Sequence, residues 1–455
     1  MKKLFLLFLV VLSIACEKPS EVDYVLLSGK IENAESDKVL ILGYDFRKVI
    51  SVADDGTFND TLRINYEGYF DLKIDEEKAL LYLSNGADIN LQTDYEAFDD
   101  SLTFTGKGAE ENNYLAEKVK TVSKPTYEYA VFYSQPENEF KNQVESIKEN
   151  SLNLVNNYEG VSEDFVKVEE ANIGYEYHNY LSSYPIYYKM FTQSDSLELA
   201  DGFYSENESF NYTDEKAFKT SPIYRDLVIK HYATELNNYT ISNNDNYHLG
   251  FIELINTMPK GIVKEEFMHT MAFGMLKPNE YLEKTYSLYL ENTSREDYLK
   301  EYKEKYDSFK SLTEDRPSPN FEFENYEGGK TTLESLRGKY VYIDVWATWC
   351  GPCIKEIPEL TKLQEQYADK NISFVSISVD SKDDYETWKN MVKDKNLGGI
   401  QLFADNGFQS DFMEAYVVEA IPRFILIGPD GNIVKADAPR PSDEELLKLF
   451  NDLNI

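Results

Sequence analysis

The stretch Asp344–Leu360 reads "DVWATWCGPCIKEIPEL" and holds two of the chain's 3 cysteines. Cysteines two residues apart serve three chemistries: a redox dithiol, half of a zinc site, or a structural disulfide. The preceding "KYVYIDVW" is a short apolar run of strand character. The following "CIKEIPELTKLQEQY" places Ile354, Ile357, Leu360, Leu363 and Tyr367 along one helical side. A strand that ends where a helix begins sets Cys350 at the helix N-terminus, where unpaired amides and the macrodipole favour thiolate over thiol. Cys353 falls one turn later, more buried and close to the first sulfur. Gly351 allows the turn between them and Pro352 stiffens it, since a missing amide costs nothing in a first helical turn. On this reading Cys350 attacks a partner disulfide and Cys353 resolves the mixed disulfide.

The zinc reading lacks ligands. The third cysteine is Cys16, and the 4 histidines, His178, His231, His248 and His269, all precede the polar stretch "SLTEDRPSPN", Ser311 to Asn320. No metal or other cofactor is expected. A secreted domain built on disulfides carries several pairs, so a single CxxC points to chemistry rather than stapling. A lone peroxidatic thiol does not fit a paired arrangement. Asp344 sits on the strand leading to the dithiol. A buried carboxylate has a raised pKa and can accept a proton from Cys353; the plainer alternative is a hydrogen-bonded core aspartate. Trp349 is expected to shield the dithiol and offer partners a flat apolar contact. Lys355 reads as a solvated helix lysine.

Outward from this stretch, "ISFVSISVD" and "RFILIGPDGNIV" read as further strands, and "SDEELLKLF" as a closing helix capped by Ser442. Strands alternating with helices give an α/β domain over residues 317–455. The proline-bearing stretch Ser311–Asn320 reads as a linker. Before it, residues 109–312 have helical periodicity, as in Val144, Ile147, Leu154, Val155 and Tyr158, or Leu299, Tyr302, Tyr306 and Phe309. The tyrosine-rich "YEYHNYLSSYPIYYKMF" reads as aromatic core packing, with a binding groove as the alternative. Residues 24–108 read as a small antiparallel β domain: "YFDLKID" puts Phe70, Leu72 and Ile74 on one face, "ADDGTF" is a turn, and Asn85-Gly86 signals a hairpin between two alternating runs. The chain is thus multidomain, as 455 residues exceed one ordinary core.

A net charge of -35 argues against a nucleic-acid partner, whose phosphates need a basic face. It also disfavours docking on anionic lipid through charge. The N-terminus "MKKLFLLFLVVLSIAC" has a basic start and an apolar run too short to span a bilayer. It resembles a bacterial lipoprotein signal over residues 1–16, with Cys16 the lipidated first residue of the mature chain. One departure is Ser13, where that pattern usually has Leu.

Residues 317–455 resemble the thioredoxin superfamily, and within it the membrane-tethered TlpA/ResA-like thiol-disulfide oxidoreductases. Trp349-Cys350-Gly351-Pro352-Cys353 matches the active site of that family, and Pro358 its helix kink. Ile421-Pro422 matches its cis-proline, and Asp344 the buried carboxylate of thioredoxin. The resemblance implies a thioredoxin fold and a catalytic set of Cys350, Cys353 and Asp344. It implies a partner surface of Trp349, Gly351, Pro352, Ile421 and Pro422, where a cis bond frees the neighbouring backbone to pair with a substrate strand. ResA-like members dedicated to cytochrome maturation tend to carry Glu inside the CxxC, where this chain has Gly351-Pro352. "LYLSNGADINLQTD" followed by "LTFTGKGAEENNYL" resembles, more weakly, the N-terminal β domain of thioredoxin-like lipoproteins. The expected protein is a lipid-anchored, periplasm-facing reductase of exported disulfide-bearing proteins, supplied by a membrane electron donor. The rival is an envelope binding lipoprotein whose upstream domains hold a peptide or polymer.

Overall fold

The computed structural model describes residues 22–33, 37–122, 129–194, 197, 199–200, 202–203, 207, 210–244 and 246–455. The described residues fall into two compact units, divided between residues 234 and 235.

In the first unit, eight described strands form two four-stranded sheets. They are β1 (Val25–Glu32), β2 (Lys38–Gly43), β3 (Phe46–Ser51), β4 (Thr57–Leu62), β5 (Gly68–Ile74), β6 (Glu77–Leu83), β7 (Asp88–Asp94) and β8 (Thr103–Lys107). The sheet orders are β4-β1-β7-β8 and β3-β2-β5-β6. Pairing is antiparallel except for the parallel β1–β7 ladder. Alternation drives the packing. Phe70, Leu72 and Ile74 of β5 are buried and share one core with Val25, Leu27, Ile89 and Leu91 of the other sheet. The turn at "ADDGTF" is present, closed by the Gly56 N–H on the Ala53 carbonyl at 2.8 Å. The expected Asn85-Gly86 hairpin is not. β6 and β7 belong to different sheets, so that turn carries the chain across the sandwich.

Helices α1 (Phe98–Ser101) and α2 (Ala109–Thr121) follow. Asn112 of α2 bonds both the N–H and the carbonyl of Tyr82, and Asn113 those of Phe104. Each amide side chain thus stands in for a missing neighbour strand. Next come α3 (Tyr129–Tyr133), α4 (Glu137–Asn157), α5 (Glu163–Thr192), α6 (Glu215–Thr220) and α7 (Pro222–Ser242), which crosses from one unit to the other. Val144, Ile147 and Val155 lie buried along α4. Tyr177 and Tyr184 of α5 are core residues, packed with Phe132, Tyr133 and Phe140, so the tyrosine-rich stretch is aromatic core.

The second unit contains α8 (Tyr247–Thr257), α9 (Ile262–Met275), α10 (Leu282–Asn292) and α11 (Glu296–Lys310), then an α/β thioredoxin-like domain. Tyr302, Tyr306 and Phe309 are the buried side of α11. The segment Ser311–Asn320 is tied down: the Asp315 N–H bonds the Ile433 carbonyl at 2.9 Å, and the Ser318 N–H bonds the Gly431 carbonyl at 3.0 Å. The domain's strands are β9 (Glu322–Asn325), β10 (Lys330–Thr332), β11 (Tyr340–Trp346), β12 (Ile372–Ser378), β13 (Ile400–Phe403), β14 (Arg423–Ile427) and β15 (Ile433–Lys435). They form one mixed sheet, β10-β9-β13-β12-β11-β14-β15. Its helices are α12 (Gly351–Gln366), α13 (Tyr385–Asp394), α14 (Asp411–Ala415) and α15 (Glu444–Asp452). Leu360 and Leu363 of α12 and Leu446 and Phe450 of α15 pack on Tyr342, Phe374 and Phe424 of the sheet. The cap of α15 is Asp443, not Ser442 as expected; the Asp443 carboxylate accepts from the Glu445 N–H. Ser442 instead donates its N–H and hydroxyl to Glu356 of α12, at 3.0 and 2.9 Å. No described helix is long and apolar enough to cross a membrane.

Candidate active site

β11 is the centre of the sheet, hydrogen-bonded to β12 on one side and β14 on the other. Its residues from Val341 to Trp346 are buried, which is why this run is apolar apart from Asp344. The chain leaves β11 at Trp346 and enters α12 at Gly351, and Cys350 is the N-cap residue. The Cys350 Sγ accepts the Cys353 N–H at 3.2 Å, so a sulfur occupies the place that a serine oxygen usually fills. An amide of the first helical turn thus points at the Cys350 sulfur, an arrangement that favours thiolate over thiol when the pair is reduced.

The two sulfurs are bonded as the Cys350–Cys353 disulfide, with Cα atoms 5.3 Å apart. Both cysteines are buried, at 4% and 3% exposure, whereas the Trp349 ring beside them is 60% exposed. Gly351 and Pro352 are exposed on the first turn of α12, as is Lys355 on the next. Pro358 lies within the helix.

The Ile421–Pro422 bond is cis. β14 begins at Arg423, whose register partner is Val345. That register brings Pro422 to the end of the sheet from which the dithiol loop departs. Ile421 and Pro422 are half-buried.

Asp344 lies on the α12 side of the sheet. It lines a small cavity together with Ile357, Leu360 and Gln364. Those residues lie four, seven and eleven positions after Cys353, on its own helical face, so the carboxyl sits under the Cys353 side of α12. Burial pushes the Asp344 carboxyl up to about 7; a hydrogen bond from Ser376 works against the rise, and the Glu356 charge adds to it. A carboxyl raised towards neutrality can accept or give a proton near pH 7.

One residue escaped the sequence reading. Asp380, buried just beyond β12, accepts the Thr348 N–H at 3.0 Å, the Thr348 hydroxyl at 2.7 Å and the Ser378 hydroxyl at 2.7 Å. It pins the loop that presents Trp349 and Cys350. The only trace in the sequence is an acid closing the strand "ISFVSISVD"; its partner Thr348 is far away along the chain. Cys16 lies outside the described residues.

A helix-capping, disulfide-bonded CxxC at the same sheet end as a cis-proline defines a thioredoxin-fold centre for thiol-disulfide exchange. Residues 315–436 match the AhpC/TSA family. The thiol-disulfide oxidoreductase ResA of Bacillus thuringiensis is 32% identical over 136 residues, 29% of this chain and 76% of the relative. ResA of Bacillus subtilis is 31% identical over 126 residues, 28% of this chain and 67% of the relative. A solved thiol-disulfide oxidoreductase from Bacteroides fragilis is similar at 28% identity and a TM-score of 0.27, covering 31% of this chain and 100% of that one. Through its C-terminal domain the chain belongs to the ResA-like thiol-disulfide oxidoreductases.

Proposed function

We propose that the protein is a lipid-anchored reductase that works outside the cytoplasm on disulfides of exported proteins. The observation that carries this reading is the Cys350 sulfur at the α12 N-terminus, facing the Cys353 amide. In the reduced protein the Cys350 thiolate attacks one sulfur of a partner disulfide. A mixed disulfide forms and the partner's other sulfur leaves as a thiolate. Asp344 takes the proton of Cys353, and the new thiolate attacks the Cys350 sulfur. The partner leaves reduced, and the protein holds the Cys350–Cys353 disulfide. A membrane electron donor then returns the dithiol.

Trp349, Gly351, Pro352, Ile421 and Pro422 form the surface on which the partner strand lies. The exposed Trp349 ring and the cis bond support that assignment. The leader and Cys16 supply the anchor, residues 24–108 and 109–312 the upstream domains, and residues 317–455 the redox domain. Reduction of insulin by the full-length chain, with dithiothreitol as electron source, tests the reading. Turnover well above the dithiothreitol background is expected. Background turnover alone would overturn it in favour of a binding lipoprotein.

A further inference from the structure

The face of the sheet beneath α12 carries a polar row. Asp344 of β11 is in register with Ser376 of β12, and Ser376 with Gln401 of β13. In-register neighbours on parallel strands point to the same face. All three are buried, at 7%, 4% and 5% exposure. A row of polar side chains across an apolar layer costs stability unless each is hydrogen-bonded.

Two atoms beside this row are not. The Trp346 Nε1–H and the Gln401 Oε1 are buried and have no hydrogen-bond partner among the described residues. The Gln401 Nε2 donates to the Gly398 carbonyl at 2.7 Å, which fixes the amide and assigns Oε1 as the open acceptor. Trp346, Gln401, Asp344 and Ser376 all line one cavity of about 10 Å³. That is about the room of one water, and such a site needs two to four polar partners. A donor, an acceptor, a carboxyl and a hydroxyl meet that need. Gln364, half-exposed, and Gly398, exposed, carry the cavity's edge to solvent.

We propose that this cavity binds a water molecule through which Asp344 exchanges its proton with solvent, and that Ser376, Gln401 and Trp346 are positioning residues for that path. The inference rests on the reductase reading and adds a route to it. During resolution the Asp344 carboxylate gains the Cys353 proton. The cavity water takes that proton to bulk solvent on the Gln364 side, and the carboxylate is restored. A partner covering Cys350 does not block this exit, so proton release is independent of partner departure. The titratable groups that act on Asp344 are Glu356 from α12 and Tyr342 from its own strand, with Cys353 one turn before the α12 residues that line its cavity; β12 and β13 present Ser376 and Gln401, which do not titrate.

The test is single-turnover reaction of the reduced full-length chain with insulin. Acid quenching, alkylation and mass spectrometry count mixed and intramolecular disulfides across pH. Gln401→Met keeps the side chain's length and removes its acceptor; Ser376→Val removes the hydroxyl and Ser376→Thr keeps it. Gln401→Met and Ser376→Val are expected to slow resolution at least fivefold near pH 7 and to raise its pH midpoint by a unit or more. Formation of the mixed disulfide should be unchanged, and Ser376→Thr should stay close to wild type. Wild-type resolution in Gln401→Met at every pH, or equal impairment of Ser376→Thr and Ser376→Val, overturns the proposal. Two controls separate its failure from that of its premises. Unaltered resolution in Asp344→Asn would remove the carboxylate's role and the path with it. A reduced wild-type chain that acquires neither mixed nor intramolecular disulfide from insulin would instead sink the reductase reading. If one substitution unfolds the domain, the other decides.

Discussion

Asp344→Asn should stabilise the oxidised protein, and more so in alkali. The folded carboxyl holds its proton up to about 7, against an ordinary value of 3.8. The folded state therefore keeps a proton that the unfolded chain has already lost between about pH 4 and pH 7. Stability falls as pH rises through that window and levels off above it. The full rise corresponds to about 4 kcal/mol of cost when the buried group is ionised. Asparagine does not titrate, so its advantage over Asp344 should be larger at pH 8.5 than at pH 5 by roughly 2.5 kcal/mol. The chain's 3 tryptophans, Trp346, Trp349 and Trp388, all lie in the thioredoxin-like domain. Urea unfolding of the full-length oxidised chain, followed by tryptophan emission, thus reads this domain alone. An advantage for Asn that is the same at both pH values would refute the elevated carboxyl and, with it, the argument that Asp344 is poised for proton transfer.

Cys16→Ala should move the protein from the membrane fraction to the soluble fraction; retention on the membrane after a high-salt wash would show that a lipid on Cys16 is not the anchor. Asp380→Ala leaves the Thr348 N–H and two hydroxyls without their acceptor, and should lower the stability of the domain by about 3 kcal/mol in the same urea assay. A loss under about 1 kcal/mol would mean that the dithiol loop holds its shape unaided. Leu446→Ala removes a fully buried side chain between α15 and the sheet and should cost about 2 to 5 kcal/mol; an unchanged urea midpoint would contradict the packing described.

The thioredoxin-like domain was legible because its signals are local. An apolar strand, a CxxC, a helix with one apolar side and an Ile-Pro before a strand each occupy a few adjacent residues, and all of them recur in the structure. The β domain was legible as strands but not as pairings. Asn85-Gly86 does make a turn, yet β7 pairs with β1 and β8, since the partner of a strand is set by the core it must bury and not by the turn before it. Ser442 and Asp443 are adjacent and equally able to cap a helix. Glu356, from another helix, engages the serine and leaves the cap to the aspartate. Asp380 and Gln401 were invisible for the same reason. Their importance comes from Thr348 and Ser376, residues distant in the chain that the fold brings beside them.

The most direct measurement is capture of mixed disulfides in cells by the two single-serine variants. Cys350 has the sulfur at the helix N-terminus, and on the proposed mechanism it makes the first attack while Cys353 follows within the molecule. Cys353→Ser should therefore accumulate covalent complexes through Cys350, identifiable by mass spectrometry as exported proteins that carry disulfides. Cys350→Ser should form none, and neither variant should reduce insulin. Complexes trapped only by Cys350→Ser would reverse the two roles. Wild-type insulin reduction by both variants would contradict dithiol exchange at this site altogether.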